Sequence, residues 1–231
     1  MKILKTLVAV SLLATAAISQ ASLFSFDTNP ATGGSLGSQI DTVSSTFNST
    51  TQNFTWDVGF ASDPTPIDGF WLVVNNGDNP KSSNVNELAI IYGDLQTGIA
   101  STYVYNGQNN ANSINSPGIL LQTDTFAVTS NSFSLDIDAT TINAWSGANS
   151  ANYTGISYDA GVGVWFHVAS GSNFGYTNGD ITSFSFGQQG WWDAANLVTD
   201  ELSLNSVSAP SSLAMLGFSL FGLVLLRRKF S

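Results

Sequence analysis

One histidine, no cysteine and sixteen carboxylates bound the chemistry open to this 231-residue chain. A serine nucleophile needs an imidazole to accept its proton, and His167 is the only one present. No Gly-x-Ser-x-Gly turn presents such a serine. His167 therefore reads as a hydrogen-bonded strand residue, and no catalytic residue is assigned. Paired carboxylates are the other route to hydrolysis. Asp136 and Asp138 are two apart on one predicted strand, which sets them on the same face about 6 to 7 Å apart. Glycosidases use such separations, although Asp also favours turns and helix caps.

Two binding chemistries remain. Calcium takes six to eight oxygens, and residues 75–84 form the densest oxygen-rich loop of the chain. Asn76 and Asp78 in that loop, with Glu87 just beyond it, are the candidate ligands; the order is not that of an EF-hand, and a solvated hairpin loop is the competing reading. Sugars offer C–H faces beside hydroxyls and suit aromatic rings next to amides. Trp165, His167, Tyr176, Gln188, Trp191 and Trp192 are the candidate glycan contacts. Trp191 and Trp192 point to opposite faces if extended, which leaves one of the two free.

Calcium apart, no cofactor is implied. Without cysteine there is no disulfide framework, thiolate zinc site or iron–sulfur cluster. Gly161-Val162-Gly163 lacks the third glycine of a dinucleotide fingerprint, and Lys81-Ser82 lacks the glycine of a phosphate loop. Nucleic acid is excluded on charge. Lys81 is the only cation between residues 6 and 226, against sixteen carboxylates in the same stretch, a net charge of −15. Phosphate contacts need lysine and arginine to replace counterions.

The elements that would position these residues are strands. Apolar alternation comes in short bursts separated by Gly, Asn, Asp and Pro. It predicts strands over 43–47, 53–60, 69–75, 87–92, 101–105, 123–128, 132–137, 161–168 and 181–186. Without long amphipathic helices between them, the expected fold is all-β, an antiparallel β-sandwich of jelly-roll type. Val162, Val164, Phe166 and Val168 share one face of the 161–168 strand and should be core, opposite Gly163, Trp165 and His167. A short helix over 139–145, capped by Asp138, is expected, and residues 203–212 read as a flexible linker.

The two ends read as addresses. Lys2 and Lys5, an apolar run over 7–18 and Ser19-Gln20-Ala21 make a secretory signal, with the cut expected after Ala21. The body is then a single domain over 22–206. Residues 213–226 carry no charge and are followed by Arg227, Arg228 and Lys229. As helix they reach about 21 Å, and about 30 Å counted back to Val207, enough to span. The basic cluster keeps the C-terminus in the cytoplasm and the body outside.

Residues 207–231, with Val207-Ser208-Ala209-Pro210, an apolar helix containing Leu213-Ala214-Met215-Leu216-Gly217 and Gly222, and the terminal Arg227-Arg228-Lys229, resemble the PEP-CTERM sorting domain of Gram-negative bacteria. At the motif this chain has Ser208-Ala209-Pro210 where the family has Pro-Glu-Pro. The resemblance implies export by the Sec machinery, a transient membrane anchor, and processing by an exosortase, a membrane protease-transpeptidase. It further implies a mature protein at the cell surface or in the extracellular matrix, in a biofilm setting with exopolysaccharide as a partner. For the body, the leading expectation is a non-enzymatic structural or adhesive component. The alternatives are a secreted hydrolase of matrix polysaccharide and a calcium-stabilised glycan-binding module.

Overall fold

The computed structural model of the chain describes residues 21–25, 31–61, 66–75, 84–107, 118–156, 163–193 and 205–206. Among them are fifteen strands: β1 (Ala21–Ser25), β2 (Ala31–Gly34), β3 (Ile40–Asn48), β4 (Asn53–Phe60), β5 (Gly69–Asn75), β6 (Ala89–Asp94), β7 (Ile99–Val104), β8 (Leu120–Thr125), β9 (Ala127–Val128), β10 (Ser132–Asp138), β11 (Gly163–Ser170), β12 (Asn173–Thr177), β13 (Asp180–Ser185), β14 (Gln188–Asp193) and β15 (Asn205–Ser206). The helical content described is a 3-10 turn (Gly37–Gln39) and the single turn α1 (Thr140–Asn143). Six strands form one sheet in the order β15-β1-β3-β4-β10-β9, and seven form a second, β2-β14-β11-β5-β6-β7-β8. The hairpin β12–β13 stands apart from both. The strand pairings are antiparallel.

Period-two patterning builds the six-stranded sheet. Phe54, Trp56, Val58 and Phe60 of β4 are buried, while Asn53, Thr55, Asp57 and Gly59 alternate with them on the other face. β10 repeats the pattern with Phe133, Leu135 and Ile137. These side chains meet the inner face of the seven-stranded sheet in one shared core. Trp56 packs edge-on to Phe166 at 5.3 Å between ring centroids, and Phe133 stacks on Phe70 at 4.5 Å. Each such buried side chain contributes about 1.5 to 3 kcal/mol of apolar burial. Val164, Phe166 and Val168 belong to this core as their alternation predicts; Val162 lies outside the described residues.

The central strands of the seven-stranded sheet are buried on both faces. All six residues of β6 are buried, and the run Ala89 to Tyr92 is accordingly apolar on both sides rather than alternating. The outer face is covered by the β12–β13 hairpin, which brings Ile181, Phe184 and Phe174 onto Trp71, Tyr92 and Tyr103 to form a second apolar cluster. The Tyr103 hydroxyl holds the hairpin in place. It donates to the Asp180 carboxylate and accepts from the Ile181 N–H, both at 2.7 Å.

Three sequence expectations change. The strand over 123–128 is two strands in different sheets, β8 and β9, divided at Phe126. The Phe126 N–H bonds Gly98, and its ring packs between Phe70 and Phe133, so the chain crosses from one sheet to the other around a core residue. The helix over 139–145 is only α1. Asp138 does accept the Thr140 N–H, at 3.0 Å, but the Asn143 side chain is taken up by Gln52 and Ile156, and the helix stops there. The linker over 203–212 contains β15, where Ser206 and Asn205 pair with Ser22 and Leu23.

β2 and β14 were not legible as strands because glycine replaces the apolar alternation. At Gly190 a Cβ would lie 2.0 Å from the Gly37 nitrogen, so close backbone approach requires glycine there. The signal segment before Ala21, the sorting tail after Ser206 and residues 76–83 of the calcium loop lie outside the described residues. Among the described residues, no helix is long and apolar enough to cross a membrane.

Candidate functional site

β11 places Trp165 and His167 on the outer face of the seven-stranded sheet, as period two requires. The register then lines up a row across five strands: Gly33, Trp191, His167, Trp71 and Tyr92 are successive cross-strand partners. Trp71 stacks on the His167 ring at 4.6 Å, and Trp165 meets it edge-on at 5.0 Å. Trp71 and Tyr92 of this row belong to the second apolar cluster, so the row is not an open platform. His167 is only 9% exposed. Burial pushes its pKa down to about 4, and the side chain of Gln189 offsets part of that shift, so the imidazole is neutral near pH 7.

The six expected glycan contacts do not share a surface. Trp192 faces the main core, 6.2 Å from Trp56, and offers no ring to a ligand. Trp165 packs half-buried against the second apolar cluster and His167 is buried beside Trp71, which the hairpin covers through Phe184. Trp191 is half-buried, its ring laid over Gly33, where a Cβ would be 2.2 Å away. Gln188 is exposed on β14, and Tyr176 on the hairpin is 37% exposed with its hydroxyl donating to Asp94 at 3.2 Å. One of the two adjacent tryptophans is thus turned outward, as the alternation of an extended segment dictates.

Asp136 and Asp138 do share the outer face of β10, both exposed. Each is engaged locally: Asp136 accepts from the Asn53 amide at 2.7 Å, and the Thr140 bonds hold the Asp138 carboxyl below the usual range. Asp124 on β8 has its carboxyl raised, first by burial and then by the nearby Asp138 charge, against a hydrogen bond from Gln122. Of the calcium candidates only Glu87 is described; it is half-buried, and its backbone carbonyl accepts the Thr154 N–H at 2.8 Å. Among the described residues no group of three or more histidines or acids is placed to hold a metal ion.

The opposite side of the molecule carries a face that reading strand by strand misses. Register aligns the outward residues of β3, β4 and β10 into rows: Thr42, Gly59 and Ser132; Ser44, Asp57 and Ser134; Thr46, Thr55 and Asp136; Asn48, Asn53 and Asp138. No apolar side chain and no cation interrupts them. Thr46 and Thr55 hydroxyls bond each other at 2.6 Å, and Ser134 donates to Asp57. At the glycine row the face sinks into an open cavity of about 250 Å³ lined by Thr42, Ser44, Asp57, Gly59, Ser132 and Ser134, floored by Val58 and Phe133. The signal for it was the alternating Ser, Thr, Asn and Asp in three strands, which becomes a surface only once those strands are known to be neighbours.

Compared with known proteins, the chain matches no family model, no curated protein and no solved structure.

Proposed function

We propose that the chain is an exported, exosortase-sorted protein of the cell surface or extracellular matrix, whose body is a non-enzymatic β-sandwich serving a structural, adhesive or glycan-binding role. The observation that carries this is the arrangement of the sequence: a cleavable signal ending at Ala21, a cysteine-free acidic β body, then Val207-Ser208-Ala209-Pro210, an apolar segment and Arg227-Arg228-Lys229. The pairing of β1 with β15 is consistent with it, since the body begins and ends on adjacent strands and a tail leaving after Ser206 would tether it at one edge. In the alternative reading of the body as a calcium-stabilised glycan-binding module, Asn76, Asp78 and Glu87 hold the ion. Chelation should then lower its melting temperature, and Asp78→Asn should remove that sensitivity.

Fractionation of the native host with intact-mass analysis tests the main reading. The expected product begins at Ser22, is trimmed after Val207 and appears at the cell surface or in the medium. A full-length chain confined to the cytosol overturns it. Release of reducing sugar from matrix polysaccharide by the purified chain, lost in Asp136→Asn, would replace the non-enzymatic body with the hydrolase alternative.

A further inference from the structure

The cavity on the outer face of β3, β4 and β10 has a composition that selects its occupant. We propose that it docks an amino-sugar glycan, a polyhydroxyl chain carrying free ammonium groups; the inference rests on reading the body as a glycan-binding surface module and names the ligand class. Gly59 lets the Thr42 hydroxyl settle over β4 at the edge of the recess, since a Cβ there would lie 2.4 Å from that oxygen. Around it stand the hydroxyls of Thr42, Ser44, Ser132 and Ser134, groups that exchange hydrogen bonds with sugar hydroxyls; Ser134 donates to Asp57 and keeps its acceptor side.

Charge decides between glycan classes. Asp57 lines the recess, and Asp136 continues the acidic line one row along, beside Ser134. No lysine or arginine occurs among the described residues, so none of them pairs with these carboxylates. A polymer with carboxylates or sulfates is repelled, a neutral one leaves the charge unanswered, and an ammonium on the sugar pairs with it. The face also repeats regularly, at about 4.8 Å between strands and about 6.8 Å along them, which suits a linear chain lying across several rows.

Calorimetric titration of the full chain in detergent with a glucosamine hexamer, its fully N-acetylated counterpart and spermine tests this. The hexamer should bind, with the acetylated form at least tenfold weaker. Asp57→Asn should lose at least tenfold while melting like the wild type, and the isosteric Thr42→Val should lose several-fold as a second probe of the same recess. Asp124→Asn, which removes one charge from the other sheet, should bind unchanged. Wild-type affinity in Asp57→Asn and Thr42→Val, an equal loss in Asp124→Asn, or spermine binding as tightly as the hexamer would each overturn the inference. A chain that is exported and trimmed yet gives one of those results leaves the proposed function standing.

Discussion

Protonating His167 would place an imidazolium against Trp71 and Trp165 in a layer closed to water, and burial opposes it. With a folded pKa of about 4, below the usual value near 6.5, the folded state binds this proton more weakly than the unfolded chain does. The contribution is therefore whole above about pH 6.5 and is lost as pH falls toward 4, by about 3 kcal/mol. Melting curves from pH 7.5 to 4 should fall more steeply for the wild type than for His167→Gln. Parallel profiles would show that this imidazole does not sense acid. The same burial makes His167 a poor general base, because its neutral form is held by packing and not by a carboxylate partner.

At the scale of elements, the β12–β13 hairpin determines what the seven-stranded sheet can present. It leaves β11 and returns to β14 through Gly171 and Gly187, and Asp68 braces the departure by accepting the N–H groups of Gly171 and Ser172, both at 2.9 Å. Tyr103 ties the far end through its two hydrogen bonds. Tyr103→Phe removes both, leaving a carboxylate and an amide without their partner, a loss of about 1 to 3 kcal/mol. Hydrogen exchange should then quicken in residues 173–185 while the amides paired between β5 and β11 keep their protection. Equal loosening of both regions would mean that the hairpin and the sheet open as one unit. The six-stranded sheet has no such cover described on its outer face, and its polar rows stay accessible.

At the scale of the whole molecule, charge is the dominant feature: a body of −15 with its single lysine at position 81. Mutual repulsion among carboxylates opposes the compact state and is screened by salt, with a Debye length near 10 Å at 0.1 M. The melting temperature should rise as sodium chloride goes from about 10 mM to about 0.5 M. A flat or falling profile would show that local hydrogen bonds, such as those Asp136 and Asp138 accept, outweigh the repulsion. The sequence by itself determined the strand class: alternation in 53–60 and 132–137 records which side of a strand meets water, the apolar run in 69–75 marks a strand buried on both sides, and β4, β10 and β5 occupy nearly those spans. It determined the charge and the signature of the ends for the same reason, since both are local properties of the chain. Which strands are neighbours is set by pairings between residues up to more than a hundred positions apart, and only tertiary structure decided it. That is why the aromatic residues expected to share one surface are divided between the main core, the second apolar cluster and the hairpin, and why Thr42, Asp57 and Ser134, unremarkable in three separate strands, line one recess.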